Sequence, residues 1–198
     1  MSVISVVERP RVASRDFTRL PLGRVGMWWF LASEIMVFGG LIGSYILSRI
    51  AAGGWAVERA HVNTSLAAIN TLVLLTSSLT IVEAHAAVEA EQPGRTRTFL
   101  LLTVLLGCTF LGIKGYEYTG ELAHGLTPAS GLFWSFYYAM TGLHGLHVLA
   151  GIVANVLLCM MVGSRTWPRI QQRVEYAGLY WHFVDVVWIF LFPLLYLS

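Results

Sequence analysis

Residues 25–47, VGMWWFLASEIMVFGGLIGSYIL, form a continuous hydrophobic run in which the only charged side chain is Glu34. A run of this length matches the hydrocarbon core of a bilayer, so it predicts a membrane-spanning helix. Glu34 then lies about 13 Å into the membrane, at a rise of about 1.5 Å per residue. Hydrocarbon penalises a charge there by at least about 2.5 kcal/mol, so we expect Glu34 to find a partner or to keep its proton.

The composition of the whole chain agrees with a membrane location. Of the 198 residues, 56% are hydrophobic and 12% are charged, whereas soluble domains carry about 25% charged residues. A β-barrel would show short alternating segments instead of long apolar windows. The sequence predicts an all-α integral membrane protein, a bundle of five transmembrane helices at about residues 25–47, 66–88, 99–118, 132–162 and 176–197. A basic segment, residues 1–24, precedes this transmembrane domain of residues 25–198.

The distribution of basic residues predicts the orientation in the membrane. If alternate loops lie on opposite sides, most of the arginines fall on one side. The first side carries Arg9, Arg11, Arg15, Arg19, Arg24, Arg95, Arg97, Arg165, Arg169 and Arg173, and the second carries Arg49, Arg59 and Lys114. Because short cytoplasmic loops are enriched in positive charge, the N-terminus is predicted to be cytoplasmic and the C-terminus periplasmic or extracellular.

Glycine spacing offers a second, weaker signal about how the helices pack. Gly39 and Gly43 form a small-xxx-small pair on the first predicted helix, and Gly112 and Gly115 lie close together on the third. Such residues let helix backbones approach in a membrane. They indicate either helix contacts or ordinary transmembrane glycines.

The fifth predicted helix contains His182 and Asp185, which lie three residues apart and therefore on one face. Both this helix and the first begin at the inner surface, so Asp185 lies at nearly the same depth as Glu34. The depths suggest the hypothesis that Glu34, His182 and Asp185 form one hydrogen-bonded cluster.

The fourth predicted helix repeats this spacing with His144 and His147. Neutral imidazole is a common haem and metal ligand, so one haem held by His147 and His182 is an alternative. A spacing of three residues does not place ligands at two depths, and the sequence favours interhelical hydrogen bonds over ligation. Cys108 and Cys159 lie in apolar runs without metal-binding spacing. No metal site is predicted.

Charged residues also occur near the predicted helix ends. They are typical of solvated or interfacial charge, and binding of lipid head groups is the sharper alternative. The candidates are Glu83, His85, Arg95 and Arg97 around the second turn, together with Lys114 and Glu117, which are three residues apart on the third helix and able to pair.

Four stretches give the chain a specific resemblance. They are GMWWFLASE at residues 26–34, YEY at 116–118, AMTGLHGLHV at 139–148 and YWHFVDVVW at 180–188. In this order they resemble subunit III of the haem-copper respiratory oxidases, the family of cytochrome c and quinol oxidases. The longer members have seven helices, and the five predicted here resemble the last five, which implies a bacterial plasma (inner) membrane protein.

The resemblance implies an accessory subunit without catalytic residues of its own. Subunit I and subunit II would be its partners, together with structural phospholipid, and no nucleic acid is expected. Haem and copper would lie in the partner subunits, with no cofactor in this chain. Glu34 matches the family's intramembrane carboxylate that reacts with carbodiimides. The implied role is to stabilise the catalytic subunit and its proton uptake in a proton-pumping oxidase of aerobic respiration.

Several functions therefore stay open from the sequence. The favoured one is subunit III of a cytochrome c oxidase, which makes the chain a non-catalytic part of an enzyme. A quinol oxidase, or a nitric oxide reductase with a subunit III-like accessory, is the alternative within the family. From another class, a single-haem membrane anchor or a small proton-coupled transporter would also place acids and histidines in helices.

Overall fold

Long apolar helices make up almost all of the computed structural model, which describes residues 22–163 and 167–197. The helices are α1 (Leu22–Ala51), α2 (Ala56–Arg59), α3 (Thr64–Glu89), α4 (Pro93–Ala123), α5 (Leu132–Met161) and α6 (Trp167–Phe192), followed by a π-helical turn at Pro193–Leu197. Five of them are long and apolar enough to cross a membrane, and the described ranges contain no strand. The prediction of an all-α protein with five transmembrane helices is confirmed.

Helices α1, α3 and α4 extend beyond both predicted ends and α6 begins earlier than predicted, whereas α5 agrees with its prediction to within one residue. Helix α4 has 31 residues, or about 46 Å at about 1.5 Å per residue, which matches a bilayer of about 40–45 Å including its interfaces. For the helices that extend, the apolar windows captured only the hydrocarbon part. The orientation of the termini stays a prediction, and the segments 1–21 and 164–166, with Arg9, Arg11, Arg15, Arg19 and Arg165, lie outside the described residues.

Helices α3, α4, α5 and α6 form a closed ring, and α1 packs against its outside. In the ring, α3 contacts α4 and α6, and α5 contacts the same two helices. Helix α1 packs on α5 and α6 through a stripe whose buried members are Leu31, Phe38 and Tyr45. These residues repeat every seven positions and so lie on one face of the helix.

Local signals at the helix starts agree with these boundaries. The Asn63 side chain accepts a hydrogen bond from the Leu66 backbone N–H at 3.0 Å and caps α3. Pro93 occupies the first turn of α4, where its missing N–H has no intrahelical acceptor to lose.

The indole of Trp181 fills the centre of the ring because two facing residues are glycines. A Cβ on Gly107 would lie 2.8 Å from Trp181, and one on Gly151 would lie 2.7 Å from it. The indole N–H donates to Ser77 Oγ at 2.9 Å. By contrast, a Cβ at Gly39, Gly43, Gly112 or Gly115 would meet nothing within 4 Å. Of the two alternatives left open for those four positions, the described residues favour ordinary transmembrane glycines over helix contacts.

The C-terminal π-helical turn is tied to the rest of the bundle through its backbone carbonyls. Tyr45 donates its hydroxyl to the carbonyl of Leu194 at 3.0 Å, and Arg59 donates to that of Leu197 at 2.8 Å. Helix ends leave carbonyls without intrahelical partners, and these side chains supply donors. The turn thereby holds Tyr196 inside the bundle, where it is 2% exposed.

Candidate functional site

Glu34 meets a histidine of a neighbouring helix. Its Oε2 lies 3.1 Å from Nε2 of His147, which joins α1 to α5, and the two side chains are 17% and 15% exposed. The other ring nitrogen, Nδ1, lies 2.8 Å from the carbonyl oxygen of Leu143. A carbonyl oxygen only accepts, so Nδ1 must carry a proton and donate it.

This arrangement fixes the number of protons that the pair shares. With Nδ1 protonated, the contact between Nε2 and Oε2 needs one further proton, either on the Glu34 carboxyl or on Nε2. The pair is therefore either a protonated acid with a neutral imidazole or a carboxylate with an imidazolium, and its net charge is zero in both forms. Glu34 thus has the partner that its depth in the membrane requires.

Aromatic rings enclose the pair on two sides. Phe38 meets the His147 ring edge to face at 5.2 Å between centroids, and Tyr180 stacks on it at 6.4 Å. The Tyr180 hydroxyl also donates to the backbone carbonyl of His147 at 3.0 Å. These contacts hold the imidazole in one orientation toward α1.

The hypothesis of one cluster of Glu34, His182 and Asp185 is wrong. His182 instead places Nδ1 2.6 Å from Ser78 Oγ on α3. Asp185 is 3% exposed, and neither carboxylate oxygen has a hydrogen-bond partner in the described part of the chain. Helix α1 does pack on α6, but His182 lies on the side of α6 that meets α3, whereas Glu34 bonds to His147 of α5.

The two histidines of α5 have different environments. His147 makes the predicted interhelical hydrogen bond, whereas His144 does not. His144 is fully buried, and neither ring nitrogen has a partner among residues 22–163 and 167–197. Its ring stacks on Trp188 at 5.0 Å and meets Phe110 edge to face at 5.5 Å. The expectation of a hydrogen bond is therefore wrong for His144, because its face of α5 meets aromatic rings.

The haem alternative would require His147 and His182 to converge, yet each imidazole is bonded to a different helix. Within the described ranges, no three His, Cys, Asp or Glu side chains are arranged to hold a metal ion.

The interfacial prediction is wrong for Lys114 and Glu117, which form a buried ion pair. Their side chains are 7% and 3% exposed, and Nζ lies 2.9 Å from Glu117 Oε2. Lys114 also donates to the hydroxyls of Tyr137 at 3.0 Å and Tyr196 at 2.7 Å. Both tyrosines donate to Glu117 Oε1, at 3.0 and 2.7 Å. All three N–H donors of the ammonium are used, so the tyrosines of α5 and the C-terminal turn replace water.

The remaining charged candidates lie near the surface, as predicted. Arg95 pairs with Glu83 at 3.4 Å, and both side chains are more than half exposed. His85 lies 3.9 Å from Glu89, and Arg97 is exposed. Exposed pairs of this kind contribute about 0–1 kcal/mol, so they add little to the stability of the fold.

An apolar groove of about 370 Å³ lies between α1, α5 and α6. Its wall includes Met27, Leu157 and Tyr176, and the exposed Arg173 lies at the same groove. Apolar walls beside a guanidinium suit an acyl chain with a phosphate group above it. The residues present therefore fit a phospholipid.

Comparison with known proteins agrees with this architecture. The family model described as "Cytochrome c oxidase subunit III" matches residues 19–198. "Cytochrome c oxidase subunit 3" of Corynebacterium diphtheriae is 35% identical over 98% of this chain and 91% of its own length. The protein of the same name from Thermostichus vulcanus is 38% identical over 87% of this chain and 86% of its own. "Probable quinol oxidase subunit 3" of Staphylococcus epidermidis is 33% identical over 89% of each chain.

Proposed function

Because this chain belongs to the cytochrome c oxidase subunit III family, we propose that it serves as the non-catalytic subunit III of a cytochrome c oxidase in a bacterial plasma membrane. Its partners are the haem-copper subunit I and subunit II, whose haem and copper supply the chemistry of oxygen reduction. In this role the chain stabilises the catalytic subunit and sustains its proton uptake during aerobic respiration.

The observation that carries this proposal is the bond between Glu34 and His147. Helix α1 lies outside the ring and packs on α5 and α6. In a bilayer, lipid tails are as apolar as side chains, so helices associate through packing and interhelical hydrogen bonds. The Glu34–His147 bond is therefore one of the contacts that hold α1 in register on the ring.

The proposed mechanism follows from the neutrality of this pair. A carboxyl and an imidazole that share one proton bind two helices together without placing a net charge in hydrocarbon. We infer that the carboxyl carries the proton, since the separated charges of the alternative are penalised by low dielectric. A seated α1 also forms one wall of the groove beside Arg173, and we propose that a structural phospholipid occupies that groove.

The buried network around Lys114 supports a structural role over transport. Each polar hydrogen of Lys114, Tyr137 and Tyr196 has an acceptor within the network, and the acceptors belong to the same chain. A network satisfied in this way rigidifies the helices that contribute to it. Because the chain belongs to the subunit III family, we also prefer this function to the single-haem membrane anchor and the proton-coupled transporter.

A quinol oxidase is the second candidate, because a relative at 33% identity carries that name. The donor follows from the partner subunits, so the test is to purify the complex through a tag on this chain. We expect a haem-copper subunit to co-purify and oxygen uptake to respond to reduced cytochrome c. Oxygen uptake with quinol but not with cytochrome c would support the quinol oxidase. A haem-copper nitric oxide reductase that co-purifies with the tagged chain would support the remaining family alternative, a subunit III-like accessory of that enzyme. A tagged chain that purifies alone from its native membrane would contradict subunit III function.

A further inference from the structure

Hydroxyl groups on the outer surface of the bundle are mostly satisfied within their own helix. Ser33, Thr76 and Thr109 are exposed, and each donates to a carbonyl three or four residues earlier in its own helix, at 2.6, 2.7 and 2.9 Å. This back-bonding removes the need for a partner outside the helix. Such side chains are compatible with surrounding lipid.

The pair of Ser78 and His182 differs from these hydroxyls. Both residues are partly exposed, and the short contact of 2.6 Å involves only Nδ1 of the imidazole. Nε2 has no hydrogen bond to any described residue, and it is not among the polar atoms enclosed by the protein. A neutral imidazole has one donor and one acceptor nitrogen, so one of them is left without a partner at the surface.

The position of His182 makes the lack of a hydrogen-bond partner for Nε2 costly. The candidate membrane span Ile170–Leu197 consists of most of α6 and the π-helical turn after it, and His182 lies about 18 Å along that span at about 1.5 Å per residue. Histidines at such depth almost always face the bundle interior or pair with another group. Lipid tails supply neither a donor nor an acceptor.

None of the described residues makes a hydrogen bond to His182 Nε2. Asp185 lies one turn further along α6, but it is buried and makes no hydrogen bond to a described residue. The indole N–H of Trp181 is already bonded to Ser77, and that of Trp188 to Thr71. The described part of this chain therefore does not supply the hydrogen bond to Nε2.

Around His182 the surface is apolar, which suits a second helix. We call it the α3–α6 face, and its exposed members are Leu75, Leu79 and Val82 on α3 with Val186 and Ile189 on α6. These side chains are 39–67% exposed. Apolar side chains around one central polar group are typical of helix pairs in membranes, where the polar group fixes register.

We propose that a transmembrane helix of the haem-copper catalytic subunit packs on the α3–α6 face and hydrogen-bonds His182 Nε2. The partner side chain is a hydroxyl or a carboxamide, because these groups donate or accept and bring no charge into the bilayer. This inference rests on the proposed function, since it takes the chain to be one subunit of a membrane complex.

Photo-crosslinking in the assembled complex tests the location. A benzophenone amino acid replaces Leu79 on the face, or Leu105 on α4 as the matched control, which are 67% and 61% exposed. We expect the Leu79 probe to crosslink the catalytic subunit and the Leu105 probe to label lipid only. A crosslink from Leu105 with none from Leu79 would overturn the inference, while co-purification would still support subunit III function. A chain that never co-purifies with a haem-copper subunit would instead contradict the proposed function.

A substitution series tests the hydrogen bond itself. His182→Leu removes the imidazole and leaves Ser78 free to bond within its own helix, whereas His182→Gln keeps a donor and an acceptor at the same place. We expect His182→Leu to speed loss of this chain from the complex in detergent about threefold, as for one interhelical hydrogen bond of average strength. His182→Gln should dissociate at nearly the wild-type rate. Thermal unfolding of each isolated chain confirms folding. Dissociation of folded His182→Leu at the wild-type rate would refute the bond.

Discussion

Replacing Glu34 with alanine or with glutamine separates the two possible forms of its pair with His147. Alanine removes the bond at 3.1 Å that joins α1 to α5. Glutamine has nearly the same shape, and its amide N–H donates to Nε2 of a neutral imidazole as a protonated carboxyl would. If the carboxyl carries the proton, glutamine should therefore preserve the bond. If the pair is ionic, glutamine leaves an imidazolium without its anion.

The size of the effect follows from the bond that is lost. Interhelical hydrogen bonds in membranes average about 0.6 kcal/mol and reach about 1.7 kcal/mol. Since about 1.4 kcal/mol is a factor of ten, α1 of Glu34→Ala should leave its place about three to about sixteen times more often. If the released α1 exposes the catalytic subunit to inactivation, the inactivation rate during turnover rises by the same factor. The initial rate should stay within about twofold of wild type, because the acid does not take part in the chemistry.

Oxygen uptake by the purified complex measures both quantities in one trace, as initial slope and as decay during turnover. Ser33→Ala is the matched control, because Ser33 is exposed and bonds only within its own helix. Glu34→Gln should behave as wild type. An immediate collapse of the initial rate in Glu34→Ala, with all subunits retained, would refute the structural role. Equal inactivation of Glu34→Gln and Glu34→Ala would refute the protonated carboxyl.

Two further predictions concern the interior of the bundle. Lys114→Met should destabilise the chain by about 3–5 kcal/mol, because it leaves the buried Glu117 carboxylate without its cation. Adding Glu117→Gln should restore most of the loss in thermal unfolding, and a double variant as unstable as Lys114→Met would contradict a charge effect. Gly151→Ala should cost about 1–3 kcal/mol, since its Cβ would lie 2.7 Å from Trp181. Gly40→Ala, where a Cβ meets nothing within 4 Å, should be neutral, and equal melting temperatures of these two alanine variants would contradict the packing argument.

The five spans were predictable because hydrocarbon sets a fixed length and excludes charge. The ends of the spans were less predictable, and the third span shows the reason. Lys114 and Glu117 looked like the boundary between hydrocarbon and water, yet α4 continues to Ala123 with both side chains buried. What removes the need for water is a pair of tyrosines, Tyr137 and Tyr196, that lie far away in sequence. A local window does not contain that information.

The hydrogen-bond partner of Glu34 could not be predicted from the sequence, for a related reason. Depth along a helix can be counted from its ends, and it brought Asp185 to nearly the level of Glu34. Which side chain faces α1, however, depends on how the helices are arranged around the ring. His144 and His147 illustrate the sensitivity, because a step of three residues turns one imidazole toward α1 and the other toward Trp188. Spacing alone treats the two as equivalent.

Helix arrangement also explains why residues of the same type serve different purposes in this chain. The hydrogen bond of His147 forms when α1 packs on α5, and the Lys114 network is complete when Tyr196 packs inside the bundle. Both sets of hydrogen bonds lie within one chain, so they contribute to folding of the subunit by itself. His182 has only one of its two nitrogens hydrogen-bonded to a described residue of its own chain. On our proposal the second bond forms when the catalytic subunit arrives, and it contributes to assembly. At the surface of a membrane helix, an open hydrogen bond is therefore a better guide to an interface than an exposed apolar side chain, which lipid covers equally well.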